Sequence, residues 1–128
     1  MDKSKILVID DDQDVAMGLR VRLRANNFAT VFATDAVSAI SQAKNETPDL
    51  ILLDLGLPGG DGFLVMERLN NIESLSSIPV MVLSARDPQA NKERALAAGA
   101  KAYFQKPVDN DELLAAIRKT LGEVNCIM

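Results

Sequence analysis

Five short apolar runs, alternating with segments of helical character, constrain the fold of this 128-residue chain more than any other feature. The runs lie at residues 6–9, 30–33, 50–53, 80–83 and 102–105. Short continuous apolar runs of this kind are typical of strands that are buried on both faces of a parallel sheet. Strands that alternate with helices predict right-handed βαβ crossovers, and therefore an α/β fold with helices on both faces. A chain of this size fits a doubly wound, five-stranded parallel sheet in the flavodoxin-like order 2-1-3-4-5.

The segments between and after the runs predict five helices, over about residues 14–26, 35–44, 63–71, 88–98 and 110–121. Asp35 is a candidate N-cap of the second helix, and Asp109 or Asn110 is a candidate N-cap of the last. Gly99 is a candidate stop for the fourth helix, and the last helix is expected to end before Gly122.

The composition excludes several classes of function. Lysine and arginine total 14 against 18 acidic residues, and the formal net charge of −4 argues against direct nucleic-acid binding, which favours a basic face. The chain has no histidine, which excludes a Ser-His-Asp triad, a Cys-His pair and a histidine metal ligand. A single cysteine cannot form a disulfide within the chain.

The length and the N-terminal sequence predict one domain and its location. At 128 residues we expect a single domain over residues 1–128, with its core over about 5–121. The N-terminal apolar run of four residues is too short for a signal peptide or a membrane span. We therefore expect a cytoplasmic protein with no membrane partner.

Predicted strands one, three, four and five are each followed by side chains that could take part in chemistry, whereas Asp35 after strand two is a candidate helix cap. In doubly wound sheets the ligand site lies outside the carboxyl ends of the strands, so these side chains are expected to meet there. Several carboxylates in one crevice repel each other, and Mg²⁺ would relieve that repulsion because it prefers oxygen ligands. A nucleophilic oxygen, a metal site and a lysine are the parts that phosphoryl transfer requires. The side chains in question are Asp10, Asp11 and Asp12, Asp54, Ser84, and Lys106.

Each of these features also has a purely structural explanation. A run of aspartates after a strand is more often a helix-capping cluster than a metal site, and an aspartate such as Asp54 is more often a turn residue. Ser84 could be a cap, and Lys106-Pro107 a surface turn. The occurrence of four such features, each after a different strand, is what favours a shared site.

Taken together, the motifs resemble the receiver domain of bacterial two-component response regulators, over about residues 5–121. The matching stretches are ILVIDDD at 6–12, PDLILLDLGLPGGDG at 48–62, VMVLSA at 80–85 and AGAKAYFQKP at 98–107. The fold of that family is the doubly wound sheet that the apolar runs predict.

The resemblance implies a chemical role for each matching residue at the strand ends. Asp54 matches the phosphoacceptor. Asp10 and Asp11 match the acidic pair that holds Mg²⁺, with Asp54 and the backbone carbonyl of Gly56 as the remaining protein ligands. Lys106 matches the lysine that contacts the phosphoryl group.

The resemblance also implies a switch. Ser84 matches the hydroxyl that moves toward the phosphoryl group, at a position where the family more often has threonine. Tyr103 matches the aromatic residue that turns inward on activation. The surface of helix four, strand five and helix five is expected to change with them. The Lys106-Pro107 peptide is often cis in relatives.

Four positions depart from the family pattern or add to it. Gly56 stands where relatives often carry a side chain, and Arg86 occupies the second position after the switch hydroxyl. Both positions border the phosphoryl group, so they bear on its lifetime. Val108 replaces a common phenylalanine. Asp12 is an additional acid, and its role could be only to place negative charge at a helix N-terminus.

The resemblance implies a phosphoacceptor switch rather than an enzyme, with catalysis limited to its own phosphorylation and dephosphorylation. The expected phosphoryl donor is a sensor histidine kinase or a histidine phosphotransfer protein, because the chain itself has no histidine. The expected output is a downstream target protein or an effector domain outside this chain. Whether two copies pair through helix four, strand five and helix five is left open.

Two other functions share parts of this pattern. A haloacid-dehalogenase-like phosphatase also uses an aspartyl phosphate and Mg²⁺, but its nucleophile follows strand one in an Asp-x-Asp-x-Thr/Val motif. Residues 10–14 meet only the first half of that motif, because Asp14 stands where Thr or Val belongs. The other alternative is a receiver-shaped interaction module that is never phosphorylated. The presence of every residue that the phosphorylation chemistry of the family needs argues against it.

Overall fold

A computed structural model describes residues 3–57, 62–85 and 87–125, so the loop positions 58–61 and Arg86 lie outside the described residues. The described chain forms one five-stranded parallel sheet in the order β2-β1-β3-β4-β5, as predicted. The strands are β1 Lys5–Ile9, β2 Ala29–Ala33, β3 Leu50–Leu53, β4 Val80–Ser84 and β5 Ala102–Gln105. The helices are α1 Gln13–Ala25, α2 Ala36–Glu46, α3 Gly62–Asn71, α4 Pro88–Ala97 and α5 Asn110–Asn125.

The apolar runs are buried because both faces of the sheet are covered. Successive side chains of a strand point to opposite faces, so each central strand contributes to two cores. On one face, Leu7 and Ile9 of β1 pack in a core with residues of α2, α3 and α4. On the other face, Ile6 and Val8 pack in a core with residues of α1 and α5. The continuous apolar pattern of the central strands follows directly from this two-sided burial.

The N-terminal ends of α2 and α5 follow the predicted caps. Asp35 caps α2, since its carboxylate accepts the N–H of Ser38 at 2.7 Å. Asp109 rather than Asn110 caps α5, because its side chain accepts the N–H groups of Asp111 and Glu112.

The prediction that the last helix ends before Gly122 is wrong, whereas Gly99 ends α4 as expected. Gly99 has a φ of 109°, a left-handed conformation that favours glycine at a helix end. Gly122 instead continues α5, which runs to Asn125. A glycine inside a helix costs only about 1 kcal/mol, and the buried Ile117 and Leu121 anchor this helix on the sheet. Within the described residues, no helix is both long and apolar enough to cross a membrane.

The strand register determines what meets at the carboxyl edge of the sheet. Ile9 of β1 lies opposite both Ala33 of β2 and Leu53 of β3. Ser84 of β4 lies opposite Gln105 of β5. The residues that follow these strands are therefore brought to one edge, with β1 and β3 as direct neighbours.

Candidate functional site

Asp10 and Asp54 lie side by side because each follows a residue of the paired positions Ile9 and Leu53. Backbone hydrogen bonds continue past the strands and fix both residues. The N–H of Asp54 donates to the carbonyl of Ile9 at 2.9 Å, and the N–H of Asp10 donates to the carbonyl of Ala33 at 3.0 Å. Both carboxylates are thus held by the sheet rather than by a mobile loop.

Three carboxylates form a cluster at this edge. Asp10, Asp11 and Asp54 each offer a carboxylate oxygen, and these oxygens all lie within 4.8 Å of one another. Asp10 is only 4% exposed, whereas Asp11 is exposed to solvent. Carboxylate oxygens are the donors that Mg²⁺ and Ca²⁺ prefer, and a site open on one side suits Mg²⁺, which keeps several waters. The residues present therefore fit a divalent cation.

Lys106 is the cation that the structure places beside the cluster. Its Nζ lies 2.6 Å from Oδ2 of Asp10 and 3.8 Å from Oδ2 of Asp54. Its backbone N–H donates to the carbonyl of Ser84 at 2.8 Å, and its peptide bond to Pro107 is cis, as is common in the family that the sequence resembles. The close pair with Asp10 was not predicted, because no local pattern links residues that are 96 positions apart.

The surroundings of the Asp54 carboxyl raise its pKa. Burial raises its pKa above the ordinary value of 3.8, and the negative charges of Asp10 and Asp11 raise it further. The positive charge of Lys106 and the N–H of Gly56, which donates to Oδ1 at 3.3 Å, oppose that rise. A cation bound among the three carboxylates would favour the ionised, nucleophilic form of Asp54.

Asp12 has a different task from its two neighbours. Its Oδ1 accepts the N–H of Asp14 at 2.9 Å and the N–H of Val15 at 3.2 Å, which makes it the N-cap of α1. Its own N–H donates to Oδ1 of Asp10 at 2.9 Å. The contacts therefore support the interpretation that Asp12 serves the helix N-terminus, and that it orients Asp10 through its backbone.

The structure describes the positions of Ser84, Tyr103 and Gly56, and the roles predicted for them stay predictions. Ser84 is fully buried at the end of β4, the strand between β3 and β5. Tyr103 lies in β5, half-buried against the core that α2, α3 and α4 cover. Gly56 is exposed, and a Cβ built there would lie 4.0 Å from Oδ2 of Asp54. A side chain at position 56 would therefore border the Asp54 carboxylate.

Sequence comparison identifies a family over most of the chain. A model for the response regulator receiver domain matches residues 6–118. The transcriptional activator protein IrlR of Burkholderia pseudomallei is 39% identical over 117 residues, which cover 91% of this chain and 50% of that protein. The transcriptional regulatory protein KdpE of the KDP operon of Escherichia coli is 37% identical, over 92% of this chain and 51% of that protein. The chain thus spans about half the length of these relatives.

Solved structures share the same fold. A two-component response regulator from Clostridium difficile superposes with a TM-score of 0.90 at 26% identity, covering 96% of this chain and 99% of that one. The receiver domain of a sensor histidine kinase from Pseudomonas aeruginosa has a TM-score of 0.86 at 26% identity, covering 94% and 98% of the two chains. In that second structure a magnesium ion is coordinated in the active-site cleft.

Proposed function

The chain belongs to the response regulator receiver domain family, and from that premise we propose that Asp54 is its phosphoacceptor. The observation that supports this assignment most is the position of Asp54. Its side chain is 12% exposed, lies in the carboxylate cluster and has Lys106 Nζ at 3.8 Å. Asp10 shares the strand end, the acidic neighbours and the lysine, but it is only 4% exposed and is already paired with Lys106 at 2.6 Å.

The proposed reaction is transfer from a phosphohistidine. A carboxylate oxygen of Asp54 attacks the phosphorus atom, and the bond between phosphorus and the donor's ring nitrogen breaks. That nitrogen takes up a proton from solvent, so the products are an aspartyl phosphate and a neutral imidazole. Lys106 is held by Asp10 at the edge of this space, so its ammonium group lies close to the arriving phosphoryl oxygens. The chain would catalyse only this transfer and its own dephosphorylation, in which water attacks the phosphorus atom and the Asp54 carboxylate and inorganic phosphate are released.

Asp10, Asp11, Asp54 and the backbone carbonyl of Gly56 are the groups that would hold Mg²⁺. When bound, Mg²⁺ would neutralise negative charge on the phosphoryl oxygens and on the cluster. The three side chains supply oxygen donors on rigid strand ends, and Asp10 is oriented by both Lys106 and the N–H of Asp12. These two contacts of Asp10 would keep its carboxylate in the same orientation in the metal-free and metal-bound forms.

The proposed switch begins at Ser84 and ends at the surface. An aspartyl phosphate carries more negative charge and new acceptor oxygens, to which the Ser84 hydroxyl can donate. Movement of Ser84 toward Asp54 leaves space that the half-buried Tyr103 ring can enter. The exposed surface of α4, β5 and α5 then shifts between two states whose balance the phosphoryl group sets.

The proposed partners are a phosphoryl donor that carries a phosphohistidine and an output target. The donor is a sensor histidine kinase or a histidine phosphotransfer protein, because the 128 residues contain no histidine. Relatives such as PhoB of Escherichia coli, a transcriptional regulatory protein, are about twice as long as the matched region. The output is accordingly proposed to be a downstream target or an effector domain outside these residues. Pairing of two copies through α4, β5 and α5 is left to experiment.

Labelling with a small phosphodonor tests the acceptor assignment. Incubation with acetyl phosphate and Mg²⁺ should add one phosphoryl group, measured by intact-protein mass spectrometry. Asp54→Asn should abolish the addition, whereas Asp12→Asn, which keeps a helix cap and removes one nearby charge, should still be labelled. Undiminished labelling of Asp54→Asn would show that another residue is the acceptor. Absence of labelling and of Mg²⁺ binding in the natural chain would favour the unphosphorylated interaction module.

A further inference from the structure

The first residue of α3 lies unusually close to the backbone that follows Asp54. Gly62 is buried, and its N–H donates to the carbonyl of Leu55 at 2.8 Å. A Cβ built on Gly62 would lie 2.6 Å from the Cα of Leu55 and 2.7 Å from the carbonyl oxygen of Asp54. Both are backbone atoms, so no side-chain rearrangement could relieve the overlap. Any residue with a Cβ would require α3 or the Asp54–Leu55 peptide to move.

This contact concerns the site because the same peptide carries the proposed phosphoacceptor. On its N-terminal side Asp54 is fixed to β1 by the hydrogen bond to Ile9. On its C-terminal side the chain turns into the segment whose N–H at Gly56 donates to the Asp54 carboxylate. The close approach of Gly62 holds this C-terminal side of Asp54 against the first residue of α3. The Asp54–Leu55 peptide is thus held between the sheet and one glycine.

Asp10 is linked to the N-terminal side of Asp54 through the Ile9 carbonyl, but its other contacts oppose a movement together with the Asp54–Leu55 peptide. It is bound to β2 through its N–H and to Lys106 through its carboxylate, and neither contact involves α3. A shift of the Asp54–Leu55 peptide would therefore change the distance between Asp10 and Asp54. Mg²⁺ demands near-ideal octahedral geometry, so it is sensitive to such changes between its ligands.

We propose that Gly62 is a positioning residue for the metal and phosphoryl site: the absence of its side chain sets the distance between Asp54 and Asp10. The inference rests on the proposed function, since it assumes that these carboxylates bind Mg²⁺. It differs from a general role in stability, because the predicted defect is in metal affinity and not in the fold of the sheet.

Two alanine variants of helical glycines separate the two roles. Gly62→Ala should weaken Mg²⁺ binding at least about tenfold by isothermal titration calorimetry, as removal of contacts that orient metal ligands commonly does. Gly122→Ala is the matched control, since Gly122 also lies in a helix and a Cβ there would meet nothing within 4 Å beyond its chain neighbours and the backbone of its own helix. The control should bind Mg²⁺ like the natural chain. A folded Gly62→Ala protein with unchanged Mg²⁺ affinity would overturn the proposal.

A measurement on the natural chain decides the question if Gly62→Ala does not fold. Mg²⁺ with beryllofluoride, an acyl-phosphate mimic, should slow hydrogen exchange of the Gly62 amide. A loaded site would fix the Leu55–Gly56 peptide, whose carbonyl accepts the Gly62 N–H and whose N–H donates to the Asp54 carboxylate. The amide of Phe28, which is bonded to Leu23 at the end of α1 and lies outside the proposed switch surface, serves as the reference and should be unchanged. Equal exchange at Gly62 with and without the ligands would overturn the proposal. Failure of the natural chain to bind Mg²⁺ would instead overturn the proposed function itself.

Discussion

At the scale of single residues, three adjacent aspartates have three different environments. Asp10 is buried and paired with Lys106, Asp11 is an exposed member of the cluster, and Asp12 caps α1. The sequence predicted that carboxylates would meet at this edge, because strand ends of a parallel sheet share one edge. It could not predict which carboxylate pairs with Lys106, because that choice depends on side-chain positions and not on spacing along the chain.

The raised pKa of Asp54 leads to a prediction about stability in metal-free buffer. Because its pKa is higher in the folded chain than the ordinary 3.8, its contribution to stability is fully present below that value. The contribution is lost as the pH rises through the folded pKa. At neutral pH, Asp54→Asn should therefore raise the free energy of unfolding by about 0.5–2 kcal/mol, as measured by urea denaturation. Lys106 keeps its partner Asp10 in this variant.

The same titration gives this prediction its control. At a pH below the ordinary carboxyl pKa both proteins carry a neutral side chain at position 54, so the gain should disappear. A gain that is equal at acidic and neutral pH would show that packing, and not charge, explains it.

Magnesium affinity should depend on pH in the opposite sense to metal-free stability. A proton and Mg²⁺ compete for the Asp54 carboxylate, so affinity should rise with pH through the titration of Asp54 and level off above it. Calorimetric titrations between about pH 4 and pH 8 would measure this. In Asp54→Asn the rise should be smaller, and a pH-independent affinity in the natural chain would contradict the assignment of Asp54 as a ligand.

At the scale of helices and strands, the apolar runs predicted every strand because two-sided burial leaves a continuous pattern. The bounds of β3 and β5 were predicted to the residue, and those of β1, β2 and β4 differ by one residue at one end. Helix ends were harder to predict. The last helix passes through Gly122 because its packing on the sheet outweighs the modest tendency of glycine to interrupt a helix. That packing cannot be recognised in the local sequence. The close contact of Gly62 with the Asp54–Leu55 peptide likewise exists only in three dimensions.

The capping role of Asp12 can be tested on α1. Asp12→Ala removes the acceptor for two N–H groups and should lower the free energy of unfolding by about 1 kcal/mol. Asp12→Asn keeps a capping oxygen and should cost much less, as measured by thermal or urea unfolding. Both variants should retain Mg²⁺ binding. A large loss of Mg²⁺ affinity in Asp12→Asn would instead place Asp12 among the metal ligands.

At the scale of the whole molecule, a net charge of −4 conceals a strong local charge. Three carboxylates meet at one edge of the sheet, and Lys106 offsets only part of their charge. Binding of a cation there should stabilise the entire fold, because a ligand that binds only the folded state shifts the unfolding equilibrium. At 100 times its dissociation constant the gain is about 2.7 kcal/mol.

The proposed switch makes a prediction at this scale. Mg²⁺ with beryllofluoride, an acyl-phosphate mimic, should shift amide NMR signals at the site and also across α4, β5 and α5. Ser84→Ala should retain the shifts at the site and lose most of those on the distant surface, because the hydroxyl that links the two is absent. Shifts confined to the carboxylate cluster in the natural chain would contradict the switch, without bearing on the acceptor.

The central claim is that Asp54 carries the phosphoryl group, and trapping the acyl phosphate tests it most directly. The chain is labelled with acetyl phosphate and Mg²⁺, reduced with borohydride and digested, and the modified residue is located by peptide mass spectrometry. We predict that position 54 is converted to homoserine, and that the conversion requires Mg²⁺. Reduction at Asp10, Asp11 or any other carboxylate, with position 54 unchanged, would contradict the account.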